Sequence, residues 1–143
     1  MRNVTLLAQV PRWLWAASVV IGCLGCNKGP ELVPITGRVT YQGRPVKDFA
    51  VIFVSQEGGR PCMGQTDQDG KYELLYTENA KGTRPGKNKV YLRYNPTTVE
   101  ASAAFQGGRR LADVDAIQNK YGDENTTPLV FDIKGSQVLD LDL

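Results

Sequence analysis

The chain has 143 residues, of which 17 are lysine or arginine and 15 are aspartate or glutamate, and it contains no histidine. This length accommodates one domain with one hydrophobic core. The lack of histidine removes the commonest general base and the commonest metal ligand near neutral pH, which excludes a Ser-His-Asp or Cys-His catalytic site.

The first predicted element is a signal peptide over residues 1–22. Arg2 and Arg12 belong to a basic N-terminal region, and residues 13–21 form an unbroken run of apolar or small residues. As a helix this run would span about 14 Å, about half of the ~30 Å hydrocarbon core of a bilayer. We therefore predict a secretory signal that cannot cross a membrane by itself.

The motif Val20-Ile21-Gly22-Cys23 ends this segment and resembles the lipobox of bacterial lipoproteins. The resemblance implies cleavage before Cys23 and acylation of its thiol by a diacylglycerol, often with a further acyl chain, which is enough for stable membrane attachment. Cys26 is the alternative acceptor, and an ordinary secretory signal or a buried helix is the alternative interpretation. Leu24, in place of Asp, favours the outer membrane or cell surface over the inner membrane.

The charge of the mature chain follows from this cleavage. The signal removes two of the 17 basic residues and no acid, which leaves 15 basic and 15 acidic residues. Nucleic-acid-binding proteins usually carry a basic surplus on one face. We therefore expect no nucleic-acid partner.

Residues 23–34 predict a tether between the lipid and the domain, because they mix Gly, Pro, Asn and charged residues without periodicity. Cys26 in this tether and Cys62 in the domain would be able to pair in an oxidising compartment. Such a bridge would pull the domain against the membrane, so we favour a buried, unpaired Cys62.

Residues 35–143 predict an all-β domain, because the hydrophobic period is two and turn signals recur at short spacing. Seven strands are expected, and in the strand that begins at Gly86 the side chains of Tyr91 and Arg93 face solvent. The seven predicted strands are Ile35 to Tyr41, Ala50 to Val54, Met63 to Thr66, Lys71 to Tyr76, a strand that begins at Gly86, Pro128 to Ile133, and Gln137 to Leu143.

The segment Asp67-Gln68-Asp69-Gly70 has two interpretations. Acidic oxygens at alternating positions suit calcium, but placing Gly70 at the invariant glycine of a calcium loop puts Gln65 and Tyr76 at ligand positions. Asp and Gly are also typical of hairpin turns. We favour a turn and expect no metal site and no cofactor.

Residues 95–127 interrupt the alternation for 33 residues, which is longer than an ordinary loop. This insertion is therefore either functional or has secondary structure of its own. A short helix ending near Gly122 is predicted by apolar residues that recur every three or four positions, Leu111, Val114, Ile117 and Tyr121.

A series of motifs extends over most of residues 35–94: Thr36-Gly37-Arg38-Val39, Gln42-Gly43-Arg44-Pro45-Val46, Val51-Ile52-Phe53-Val54, Thr66 to Leu74, and Pro85-Gly86. This order resembles the carboxypeptidase regulatory-like, transthyretin-like β-sandwich family. The end of the chain, including Leu139-Asp140-Leu141, resembles small bacterial lipoproteins built on this domain. The resemblance implies a seven-stranded sandwich of two antiparallel sheets that serves as an accessory, folding or interaction module.

Five residues are candidates for binding: Tyr91, Arg93, Phe105, Arg109 and Arg110. Exposed aromatic side chains beside arginine stack on sugars or anchor protein partners. In the alternative interpretation Tyr91 only packs on the sheet and Phe105 only fixes its own loop.

The sequence therefore predicts a non-catalytic, lipid-anchored accessory or interaction module of the cell envelope. Its expected partners are the membrane, through the anchor, and an envelope protein or glycan. The alternative is a carbohydrate- or protein-binding module that works through the 95–127 insertion. We expect no enzyme, because the hydrolases that share this sandwich rely on histidines.

Overall fold

The computed structural model describes residues 29–99, 102–103 and 112–143. Within these ranges the chain forms eleven β-strands and a helix, α1. In chain order these elements are β1 Ile35–Tyr41, β2 Arg44–Pro45, β3 Phe49–Ser55, β4 Cys62–Gln65, β5 Lys71–Glu73, β6 Leu75–Thr77, β7 Ala80–Lys81, β8 Gly86–Tyr94, α1 Ala112–Tyr121, β9 Val130–Ile133, β10 Gln137–Val138 and β11 Leu141–Asp142.

The strands form two sheets, which confirms the predicted all-β sandwich. In the six-stranded sheet the order is β7-β6-β4-β3-β8-β9, and in the five-stranded sheet β1 pairs with β10, β11, β2 and β5. Alternate residues of the longer strands, such as β1 and β8, point between the sheets, as the period of two predicts. The inward residues of β3 and β8, such as Phe53 and Leu92, are fully buried together with Ile35 and Val39 of β1.

Helix α1 closes one side of this core. Val114, Ile117 and Tyr121 are all buried and belong to the same apolar cluster as the strand residues. The helix ends where Gly122 N–H donates to the Gln118 carbonyl at 2.9 Å. The predicted helix and its end are confirmed, and Leu111 lies outside the described residues.

The prediction of seven strands is wrong, because the described residues form eleven, six of which have only two or three residues. The segment predicted as one strand from Lys71 to Tyr76 changes sheet at Leu74: β5 pairs with β1, whereas β6 pairs with β4. Tyr72 of β5 and Leu74 at the change itself are both buried. The alternation of apolar and polar residues therefore identified the buried side chains but not the change of partner strand. The strands β2 and β7 were not predicted because two residues are too few to show an alternation.

The prediction of two antiparallel sheets is wrong for the C-terminal strands. Ile35 pairs with Gln137 and Val39 with Leu141, and both pairings are parallel. The chain leaves β9 in the six-stranded sheet, crosses to the other sheet and then runs beside β1 in the same direction. Side-chain alternation fixes the buried face of a strand but carries no information about its direction.

The paired part of the chain begins at Val33, two residues before the predicted boundary. Its N–H donates to the Thr83 carbonyl at 2.8 Å, and the Thr83 N–H donates back at 3.0 Å. The Thr83 hydroxyl in turn donates to Asn88 Oδ1 at 3.0 Å. The N-terminal segment therefore joins the domain next to the first residues of β8.

Cys62 is a free, buried cysteine, as predicted. Burial raises the pKa of its thiol, and the hydrogen bond to Thr83 Oγ1, at 3.3 Å, offsets part of this effect. The thiol is therefore protonated and unreactive at neutral pH. Cys26, its proposed alternative partner, lies outside the described residues.

Candidate binding surface

Tyr91 and Arg93 lie on the outer face of the six-stranded sheet, as the alternation along β8 predicts. Val90 and Leu92, their neighbours, point into the core and are fully buried. The Arg93 guanidinium carbon lies 5.7 Å from the centroid of the Tyr91 ring, a cation–π distance. The sheet thus brings these two candidates together, with Tyr91 half-buried and Arg93 exposed.

A row of apolar side chains crosses the same face beside Tyr91. Tyr91 pairs with Ile52, Ile52 with Met63, and Met63 with Leu75, so the row runs over four strands. Met63 is 51% exposed and Leu75 is 41% exposed. Each strand contributes one residue, so no short window of sequence shows the row. The sequence signal that could have indicated this row was that the outward positions of β3 hold apolar residues.

Basic side chains border this row. Lys87, Lys89 and Arg93 occupy alternate outward positions of β8, and none of them forms an ion pair with another described residue. Asp132 is the acid opposite Lys87 in β9, 3.8 Å from Lys134. We call this surface the basic sheet face and define it by its outward side chains, Ile52, Val54, Met63, Leu75, Lys87, Lys89, Tyr91, Arg93, Val130 and Asp132.

The outer face of the five-stranded sheet has a different character. It carries a groove of about 690 Å³ whose charged lining residues are Arg38, Asp67, Lys71, Glu73 and Asp140. Three acids thus face two bases. Several of these charges already have partners: Asp140 accepts from the Arg38 N–H at 2.8 Å, and Glu73 accepts from Lys81 Nζ at 2.9 Å.

Tyr72 forms the floor of this groove. Burial raises the pKa of its hydroxyl, with a further contribution from the Asp140 carboxylate. The hydroxyl therefore stays protonated and donates to the Leu139 carbonyl at 2.8 Å. The approach of the C-terminal segment also requires glycine at position 37, because a Cβ there would collide with the same carbonyl oxygen.

The Asp67 to Gly70 segment is a turn, as predicted, and it connects β4 of the six-stranded sheet with β5 of the five-stranded sheet. Asp67 Oδ1 accepts from the N–H groups of Asp69 and Lys71 at 2.9 and 2.8 Å, and Gly70 has a φ of 74°. The Asp67 carboxylate therefore caps backbone donors. In the described part of the chain, no group of three or more Cys, Asp or Glu side chains is placed to hold a metal ion.

The flanks of the insertion are fixed to the domain. The Thr97 hydroxyl donates to Asp48 Oδ1 at 3.0 Å on one side, and Arg44 forms an ion pair of 3.1 Å with Asp113 of α1 on the other. Phe105, Arg109 and Arg110, the candidates in the insertion, lie outside the described residues, as do Cys23 and Cys26. Within the described ranges no helix has the length and apolar character needed to span a bilayer.

Comparison with known proteins gives only distant similarities. No protein-family model and no curated protein matches the chain. Among solved structures it is similar to a DUF3823 family protein from Parabacteroides merdae, with 18% identity, 80% of this chain and 46% of that chain covered, and a TM-score of 0.43. It is also similar to a DUF3823 family protein from Bacteroides ovatus, with 16% identity, 78% of this chain and 44% of that chain covered, and a TM-score of 0.40. The chain thus spans less than half the length of either protein.

Proposed function

We propose that the protein is a non-catalytic, lipid-anchored module of the cell envelope that acts through the basic sheet face. The observation that carries this proposal is the row of half-buried Ile52 and exposed Met63 and Leu75 beside the Tyr91–Arg93 pair. A contiguous apolar row bordered by charged residues is typical of an interaction surface. The opposite sides of the same strands already supply the core, so folding does not require an exposed Met63 or Leu75.

The anchoring part of the proposal rests on Val20-Ile21-Gly22-Cys23, with Cys23 as lipid acceptor and Cys26 as the alternative. Two or more acyl chains hold a protein stably on a membrane. Leu24 favours the outer membrane or cell surface. The partners are then the membrane, through the anchor, and an envelope protein or glycan, with no nucleic acid.

We also propose that the sandwich belongs to the carboxypeptidase regulatory-like, transthyretin-like group. The motif order supports this: Thr36 to Val39 lies in β1, Val51 to Val54 in β3, and Asp67 to Gly70 in the turn between β4 and β5. This group is known mainly for accessory modules. The non-catalytic role is further supported by the lack of histidine in the sequence.

The alternative is a carbohydrate- or protein-binding module that works through the 95–127 insertion. Its support is the attachment of both flanks, through Thr97 to Asp48 and through α1 to the core. A binding loop fixed at both ends loses less conformational entropy when it binds.

Photo-crosslinking in cells tests the proposed surface. A photoreactive amino acid at position 91 of the full chain is compared with one at position 138, where Val138 is 72% exposed on the other sheet. We expect several-fold more adduct from position 91, and its mass will identify protein, glycan or lipid. Equal adduct yields from the two positions would refute the surface, and a probe at Phe105 with the highest yield would favour the insertion.

A further inference from the structure

We infer that the basic sheet face docks flat on the membrane that holds the anchor, with anionic lipid headgroups as its ligand. This inference rests on the proposed function, because the anchor supplies the proximity. It identifies the partner of that surface as the bilayer rather than a second protein. Charge, shape and the entry point of the chain each support it.

Charge is sorted between the two outer faces of the sandwich. The outward positions of β8 and β9 carry Lys87, Lys89 and Arg93 against the single acid Asp132. The outer face of the five-stranded sheet carries Arg38 and Lys71 against the acids Asp140 and Asp142, with Asp67 in the adjoining turn. Its third acid, Glu73, pairs with Lys81 of β7. Because the mature chain has no net charge, this separation acts as a dipole. A negative surface attracts one face and repels the other.

The shape and apolar content of the basic sheet face match a bilayer interface. The apolar side chains Ile52, Met63 and Leu75 lie in a line across the sheet, and the cations of β8 lie at the end of this line that meets Tyr91. Interfacial proteins place such apolar residues at the boundary between headgroups and acyl chains and place Lys and Arg at the phosphates. Tyr91 is an aromatic residue with a polar end, a type that is favoured at this depth.

The tether joins the domain near the first residues of β8, immediately before β1 of the five-stranded sheet. Val33 pairs with Thr83, whose hydroxyl bonds Asn88 of β8, and Lys87 and Lys89 are the outward neighbours of Asn88. Val33 is ten positions after Cys23, so even a fully extended tether reaches only about 35 Å. The tether therefore keeps the basic end of β8 within reach of the bilayer.

The expected attraction of the basic sheet face to anionic lipid is modest. The anchor makes this attraction sufficient to favour the docked orientation. Each Lys or Arg near an anionic surface favours binding by about fivefold, so three such residues favour the docked orientation by about a hundredfold. This is weak for a free protein, but a tethered domain experiences a high effective concentration of lipid.

Tryptophan fluorescence tests the docked orientation on vesicles. Trp13 and Trp15 are the two tryptophans of the chain, and both lie in the predicted signal, so the mature protein has none. Met63→Trp places a probe on the basic sheet face, and Val138→Trp places the matched control on the other sheet. The purified protein is mixed with vesicles of phosphatidylcholine alone or with added phosphatidylglycerol, and emission is measured against the parent chain, with and without brominated lipid.

We expect Met63→Trp to shift to shorter wavelength and to be quenched by brominated lipid only when phosphatidylglycerol is present. Val138→Trp should show neither effect. Adding Lys89→Glu and Arg93→Glu should lower the docked fraction at least about tenfold while the protein still floats with the vesicles, and high salt should act in the same direction. Circular dichroism and the unfolding midpoint establish that the variants are folded.

Three results would overturn the docking. The first is an equal emission shift and equal quenching for the Met63→Trp and Val138→Trp probes. The second is a Met63→Trp emission shift that Lys89→Glu and Arg93→Glu leave unchanged. The third is crosslinking from position 91 in cells to a protein and not to lipid. Loss of flotation with phosphatidylcholine vesicles would instead refute the anchor. Docking would then still predict weaker, salt-sensitive binding of the free protein to phosphatidylglycerol vesicles, and the absence of that binding would refute it as well.

Discussion

Replacing Phe53 by alanine will lower the free energy of unfolding by about 3 to 5 kcal/mol. Phe53 is 0% exposed in the middle of β3. Its ring centroid lies 6.5 Å from that of Tyr72, which belongs to the five-stranded sheet. The side chain thus joins the two sheets across the core, and its removal leaves a cavity that rigid strands on both sides cannot fill. Urea unfolding followed by circular dichroism measures the loss.

Two matched variants separate cavity formation from a general effect on β3 and its neighbours. Phe53→Leu keeps most of the volume and should cost clearly less than Phe53→Ala. Met63→Ala removes a half-exposed side chain from the adjacent strand and should cost less than about 1 kcal/mol. A Phe53→Ala cost near zero would mean that β3 does not lie in the centre of the sandwich.

Asn88→Ala should destabilise the fold by about 2 to 4 kcal/mol, because it leaves buried polar groups without partners. Asn88 is 0% exposed. Its Oδ1 accepts from the Thr83 hydroxyl at 3.0 Å, and its Nδ2 donates to the carbonyls of Arg84 and Gly86 at 3.1 and 2.9 Å. These bonds fix the segment that leads from β7 into β8 and holds the Val33 pair. Chemical unfolding measures the cost, and amide exchange at Val33 and Thr83 reports the local loosening.

Thr83→Ser is the conservative control for this network, since it keeps the hydroxyl that donates to Asn88. It should cost only about 1 kcal/mol, the value of the lost methyl group. If Asn88→Ala were as mild as Thr83→Ser, the bonds of Asn88 would contribute little and the entry point of the chain would be held by other contacts.

The elements that follow regular periodicity were predictable from the sequence. β3 is apolar throughout and occupies the centre of the six-stranded sheet, and β8 alternates so regularly that Val90 and Leu92 point inward as expected. The spacing of Val114, Ile117 and Tyr121 identified α1 within an insertion that otherwise lacks a pattern. In each case the residues of one segment are sufficient, because burial on one face leaves a local signature.

Features that depend on two distant segments were not predictable. The parallel pairing of β1 with β10 and β11 joins the two ends of the domain, and the change of sheet at Leu74 depends on which strands meet there. The same reason explains the candidate surface. Tyr91 and Arg93 were identifiable from β8 alone, whereas Met63 and Leu75 join them only through strand pairing.

The intact mass of the native protein extracted from membranes tests the central claim, a lipid-anchored β-sandwich, most directly. We predict a chain that begins at Cys23 and is heavier than its sequence by a diacylglycerol and, with full processing, one further acyl chain. Cys23→Ala should yield only precursor or lipid-free forms, whereas Cys26→Ala should leave the lipid mass unchanged. A native product that begins elsewhere and carries no lipid would contradict the account.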